Sequence, residues 1–269
     1  MEVKADGQAS MGGFPAAITR ANHIAPVPRR IRGVLNGEVL FDTSRAWYVW
    51  EWPYYPQYCI PLADVRDGAL AGDGHSKATR HGTVELHTVT SGGMRRPGAA
   101  QVLHHSELPE LRDTVRFDWA ALDAWFEEDE QVFVHPRSPY VRVDAIRSRR
   151  TVEIALEGHV LAKANECVMV FETGLPTRYY VDPTAVNFEH LIATDTVTAC
   201  PYKGVTSGYW SVRTDTGIHR DLAWTYHFPA GALLPIAGLV SFYNEKVDIH
   251  LDGVRLERPR THFFTSRRG

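Results

Sequence analysis

Cysteine is scarce in this 269-residue sequence: three residues, at 59, 167 and 200, are too few and too far apart for a disulfide framework or a Cys-rich zinc knuckle. A reducing compartment, the cytoplasm, is therefore expected. No stretch approaches the roughly 20 apolar residues of a spanning helix, and the opening residues carry Glu2, Lys4 and Asp6 with no apolar run behind them. No membrane partner is expected. Charge of either sign is also not in excess, since 29 Lys and Arg face 32 Asp and Glu for a formal charge of -3. Arg147, Arg149 and Arg150 could contact phosphate, yet the acidic run Glu127 to Glu130 lies nearby and the chain is slightly acidic overall, so nucleic acid is not expected as a partner.

The usual signatures of metal and phosphate chemistry are missing too. No Walker loop, dinucleotide fingerprint or Gly-x-Ser-x-Gly elbow occurs, and Ser91-Gly92-Gly93 reads only as a turn. His104 and His105 are adjacent and would point apart in a strand, while His81 and His87 lack a spaced partner. The residues predict no metal site and no cofactor.

What is plentiful is the aromatic ring: 7 Trp, 11 Tyr and 11 Phe. That allotment favours β-rich packing or a cavity lined by rings with polar handles. Residues 32–41 read as a hairpin around Asn36-Gly37, a pair that tolerates the positive φ of a type I′ turn, and residues 46–52 as a second strand. Pro53, Pro56 and Pro61 place Tyr54, Tyr55 and Tyr58 on a loop or edge. Residues 68–80 read as polar and turn-like, 83–89 as a strand and 91–100 as an exposed loop. Trp119, Leu122 and Phe126 have helical spacing, which predicts a helix over residues 118–129 with Asp118 as its cap and Asp123 and Glu127 facing outward. Glu127 to Glu130 read as solvated surface.

Near residue 150 the chain starts again. Aligning Gly37 with Gly158 sets an offset of 121 residues, under which Val39 meets Val160, Glu51 meets Glu172, Tyr58 meets Tyr179 and Val65 meets Val186 without a gap. A period this long is a domain duplication, since each unit can bury its own core. The expected organisation is a mobile arm over residues 1–24, a first β domain over 25–145, a second over 146–263 and a tail over 264–269.

The second unit holds the densest group of chemistry-bearing residues: Glu172, Arg178, Tyr179, Cys200, Tyr202, Lys203, Tyr209, Trp210 and Trp224. One reading is a pocket where Glu172 and Arg178 fix a polar ligand, the rings hold its apolar part, and Cys200 or Lys203 supplies reactivity. A nearby ammonium stabilises thiolate, so Lys203 facing Cys200 would lower the thiol pKa. The plainer readings are ordinary ion pairs and a buried, inert Cys200.

Four segments carry a family resemblance: Val49-Trp50-Glu51 with Tyr54-Tyr55-Pro56 and Ala63-Asp64-Val65; Leu122 to Glu130; Phe171-Glu172-Thr173-Gly174-Leu175-Pro176-Thr177-Arg178-Tyr179-Tyr180; and Cys200-Pro201-Tyr202-Lys203-Gly204 with Tyr209-Trp210-Ser211. The ending Ile236 to Asp248 fits as well. Together they resemble the domain of unknown function 427 family, in the tandem form typical of actinobacteria. The resemblance implies a mainly β protein of two tandem Mss4-like, tent-like domains with short helices, each with a small pocket. It also brings a nucleotidyltransferase-like label. The first copy lacks the Cys-Pro-Tyr-Lys-Gly segment, so chemistry that depends on Cys200 and Lys203 could occur only in the second; the first would be a scaffold or bind something else through Trp50, Glu51, Tyr54, Tyr55 and Tyr58.

The leading expectation is an unidentified small-molecule ligand in the aromatic-lined pocket of the second domain, with an enzymatic role left open. The alternatives are a noncatalytic interaction or sensor module, homodimeric through the tyrosines 54, 55 and 58, and a nucleotidyltransferase-like activity.

Overall fold

A computed structural model of the chain describes residues 19–261. Residues 1–18 of the expected arm over 1–24 and the expected tail 264–269 lie outside the described residues, while His23 and Ile24 at the end of that arm open the strand His23–Pro26. The chain divides into two compact units after Tyr140, and a boundary at 145/146 would cut the strand Val143–Ser148.

Each unit is a pair of antiparallel sheets packed face to face. In the first, seven strands run in the order His23–Pro26, Trp47–Trp50, Gln57–Pro61, Thr114–Phe117, Met94–Leu103, Gly82–Ser91, Leu70–Thr79, and four in the order Glu130–Val132, Ala124–Glu127, Ile31–Leu35, Glu38–Thr43. The second repeats both orders: Val143–Ser148, Cys167–Glu172, Arg178–Val181, Val240–Phe242, Gly217–Thr225, Gly208–Thr214, Leu191–Thr194, with His159–Ala164, Val152–Leu156, Asp248–Leu251, Val254–Arg255. It adds one hairpin, Ala199–Cys200 with Gly204–Val205.

The 121-residue offset holds in the backbone. The hairpin turns carry φ of 52° and 73° at Asn36-Gly37 and 52° and 85° at Glu157-Gly158, the left-handed pair a type I′ turn requires. The register slips at Gly33/Val34 in one copy and at Ile154/Ala155 in the other. Isolated bridges join Phe41 to Val65 and Ala162 to Val186.

Four expectations need correction. Residues 118–129 are not helical: a 3-10 turn, Trp119–Ala121, leads into the strand Ala124–Glu127. The helical spacing of the apolar residues is outweighed by pairing to Ile31–Leu35, which turns Trp125 and Glu127 inward. Glu127 is therefore buried, while Glu128 to Glu130 are exposed. The polar segment 68–80 and the loop 91–100 are the strands Leu70–Thr79 and Met94–Leu103. Their turn-forming residues serve irregular pairing: Gly74 and Gly98 have positive φ, and the Asp73 carboxylate accepts from the Thr88 N–H and hydroxyl and the Gly98 N–H. Finally, Tyr58 lies buried on a central strand, between Trp47–Trp50 and Thr114–Phe117, with Pro56 just before that strand and Pro61 at its end.

Candidate functional site

Strand alternation decides which predicted side chains can meet. Along Arg178–Val181, Tyr179 and Val181 enter the core between the sheets while Arg178 and Tyr180 point to the opposite face of the seven-stranded sheet. On Gly208–Thr214, Trp210 packs toward the inner core and against Phe188, whereas Tyr209 joins the outer cluster. The predicted set is thus divided. Glu172, Arg178, Cys200, Lys203, Tyr209 and Trp224 belong to the outer face; Tyr179 and Trp210 belong to the inner one.

The outer face is capped by the 3-10 segment Gly231–Ile236, whose Leu233 and Ile236 pack onto Val168, Val170, Tyr180 and Trp224. The added hairpin carries Cys200 in its first strand and Lys203 in its turn, with Tyr202 partly exposed beside them. Lys203 Nζ donates to Glu172 Oε2, and both side chains are about one-tenth exposed, at 10% and 9%. Cys200 Sγ lies 3.8 Å from the same Nζ. Burial pulls the Lys203 pKa down, but the Glu172 carboxylate outweighs it and raises the value above that of an ordinary lysine. Burial pushes the Cys200 thiol up, and Lys203 offsets this only in part. The expected lowering of the thiol is overturned, because the ammonium is neutralised by Glu172 while the sulfur loses water.

Arg178 is fully engaged. Nη1 donates to Asn244 Oδ1 at 3.0 Å and Glu245 Oε2 at 2.6 Å, and Nη2 donates to Glu245 Oε1 at 2.8 Å. Its guanidinium lies 5.9 Å from the Trp224 ring and 5.5 Å from the Tyr243 ring. Burial raises the Glu245 carboxyl, yet the hydrogen bonds and charge of Arg178 leave it below its usual value. Asn244 Nδ2 in turn donates to the Thr177 carbonyl at 2.8 Å, so this network holds the loop between Glu172 and Arg178.

Around these groups the rings pack as a cluster with polar tips, and none of Tyr180, Tyr209, Trp224, Tyr226 and Tyr243 lines either depression beside the 173–177 loop. Trp224 stands 4.3 Å from Tyr243 and 6.3 Å from Tyr209. Trp224 Nε1 donates to the Tyr180 hydroxyl at 3.2 Å, and the Tyr209 and Tyr243 hydroxyls share a bond of 2.7 Å. Burial lifts Tyr180 to about 12 and pushes Tyr226 and Tyr243 up as well. The Ser241 hydroxyl, fully buried on this face, has no hydrogen-bond partner among the described residues. Tyr180, Tyr226, Ser241, Tyr243, Asn244 and Glu245 were not among the predicted site residues. The alternation around Tyr179-Tyr180 was the available signal for the first; the others reach the site through long-range strand pairing.

Two depressions flank the 173–177 loop. One, of about 270 Å³, is lined by Arg142, Asp144, Phe171, Glu172, Thr173, Leu175 and Thr177. The other, of about 220 Å³, is lined by Tyr179, Val247, Ile249 and Leu256, with Asn244 and Glu257 among its polar residues. Glu172 therefore forms part of an open wall and also pairs with the buried Lys203.

In the first unit the predicted pocket is also divided. Trp50 and Tyr58 are buried between the sheets, and Tyr58 donates to Glu127 Oε1 at 2.6 Å. Tyr54 and Tyr55 are half-buried, with Tyr55 stacked on His135 at 4.0 Å. A surface made from all three tyrosines is excluded by the burial of Tyr58. Glu51 points to the other face, where it pairs with Arg116 and lines a small cavity of about 30 Å³ with Cys59, His81 and Gln101.

The model of a family described as a domain of unknown function (DUF427) matches residues 23–128 and 144–253. The chain belongs to that family. It carries two DUF427 copies in tandem, matching the two units of the fold. A comparison with curated proteins finds no match. Both DUF427 units contain clusters of aromatic side chains, and no helix among the described residues is long and apolar enough to cross a membrane.

Proposed function

We propose that the second DUF427 unit binds a small molecule carrying a carboxylate or phosphate group, which enters the depression walled by Glu172 and engages Lys203. The observation that carries this reading is the double position of Glu172, in the wall of a solvent-open depression and on the ammonium of Lys203. A ligand anion exchanges with Glu172 on that ammonium, which is reached through Glu172 because Lys203 is not itself in the lining. Arg142 in the lining adds a second cation, and Cys200 is a neutral thiol 3.8 Å from Lys203 Nζ. Tyr209 and Trp224 support the aromatic side of the site, Tyr202 stands at its hairpin, and Arg178 positions the loop. Tyr179 and Trp210 lie outside this site and take no part in it. The mainly β units fit an Mss4-like, tent-like arrangement, and the three free thiols fit a cytoplasmic setting.

A nucleotidyltransferase-like activity would require side chains placed to hold Mg²⁺. Among the described residues no three His, Cys, Asp or Glu side chains are so grouped, so the residues do not fit that ion and no step is assigned to it. Capture of metabolites from an extract on the full-length chain, followed by mass spectrometry, tests the binding reading. Anionic molecules should be enriched on the native protein and lost from Lys203→Met that remains folded by circular dichroism. Enrichment of the same molecules on both proteins contradicts it.

A further inference from the structure

The second depression calls for a different ligand. At the offset of 121 residues Tyr179 occupies the place of Tyr58 and Ile154 that of Gly33; through strand pairing Ile249, which faces Ile154, then stands where Trp125 faces Gly33. In the first copy this end of the core is filled by rings. Tyr58 lies 5.9 Å from Trp125 and 6.3 Å from Trp119, and the two indoles stack at 4.6 Å with an interplanar angle of 7°. In the second copy the smaller Ile249 stands in place of the Trp125 indole, and Tyr179, Val247, Ile249 and Leu256 line the open hollow of about 220 Å³.

The polar groups differ as well. The Tyr58 hydroxyl is spent on Glu127, whereas that of Tyr179 makes no hydrogen bond among the described residues, and Leu251 stands where Glu127 does. The apolar side chains Val247, Ile249 and Leu256, with Tyr179 and the polar Thr177, Asn244 and Glu257, give a lining of mixed character that can orient a ligand. We infer that this hollow binds a small aromatic molecule, of phenol to indole size, with a hydrogen-bonding substituent directed to Tyr179. The first copy's own indoles are the template for its occupant. The site is separate from the anion site proposed above: the two depressions share Leu175 and Thr177, but Lys203 borders neither Tyr179 nor Ile249 in this hollow.

The test titrates the full-length chain with phenol and with indole, read by ligand-detected NMR and calorimetry. Both should bind with a dissociation constant of about 1 mM, the range open to ligands of so few atoms. Ile249→Trp restores the first copy's ring and should weaken both probes by at least about tenfold, the measure of a filled site. If that variant does not fold, Leu256→Trp at the partly exposed wall should give the same loss. Tyr179→Phe should weaken phenol several-fold, and Lys203→Met should leave indole binding unchanged. Absence of binding to the native chain, native-like binding to the folded tryptophan variant, or loss of indole binding in folded Lys203→Met would each overturn the inference. Failure of the anion reading instead shows as unchanged metabolite capture by Lys203→Met, with indole binding intact.

Discussion

The two DUF427 units share strand order and register yet bury their charges in different places. The first buries Glu127 between its sheets, held by the Tyr58 hydroxyl and by Arg29 Nη1, each at 2.6 Å. The second places Leu251 there, so this fold closes without a buried carboxylate at that position. On the outer face the relation reverses. Glu51 and Arg116 keep side-chain exposures of 37% and 21%, whereas Glu172 and Lys203 keep about one-tenth. The partner of the shared glutamate comes from a sheet strand in one copy and from an added hairpin in the other. The buried carboxylate at the Glu127 position is thus dispensable to the architecture, and the two copies differ in where their buried ion pairs lie.

The largest effect should come from breaking the more buried outer pair. Lys203→Met leaves Glu172 without its counter-charge in a largely dry setting and should destabilise the second unit by about 3 kcal/mol, measured by urea unfolding followed in that unit by hydrogen exchange. Arg116→Met in the first should cost less than about 1 kcal/mol, because water reaches Glu51. Equal losses would remove the distinction between the pairs. A smaller effect is expected from Glu127→Leu, which gives the first unit the second unit's residue. It should destabilise by about 2 kcal/mol, chiefly because the buried Tyr58 hydroxyl loses its acceptor, while Arg29 is partly hydrated. A stability gain would show that the buried carboxylate is a net burden to the first unit.

Much of this comparison was legible in the residues. Asn36-Gly37 and Glu157-Gly158 announce the same turn, and the ungapped pairs Glu51 with Glu172 and Tyr58 with Tyr179 predict equivalent positions that the strand register reproduces. Lys203 contacts both Glu172 and Cys200, two residues that the sequence grouped with it. The misread segments have physical causes. Glu127 looked like surface because an unpaired carboxylate belongs in water, and its partners Arg29 and Tyr58 are 98 and 69 residues away. Residues 68–80 looked like turns because Gly and Asp serve bulges as readily as loops. Arg178 and Tyr179 looked like one site because adjacency in sequence conceals the two faces of a strand.

The thiols connect structure to pH. Burial lifts Cys59 from 9.0 to about 12 and Cys167 to about 11, and it raises Cys200 as well. Since the unfolded thiol ionises first, the stability these groups contribute is complete below about pH 9 and is lost as pH rises toward the folded values. The most direct test of the account is the pH dependence of Cys200 alkylation in the native full-length chain, in a Cys59→Ala/Cys167→Ala background shown to be folded. A neutral thiol beside an ammonium held by Glu172 should label slowly at pH 7, with an apparent pKa above 9.0. Rapid labelling at pH 7 that slows in Lys203→Met would make Cys200 a lysine-activated thiolate and contradict the assignment of Lys203 as an anion anchor beside an inert thiol.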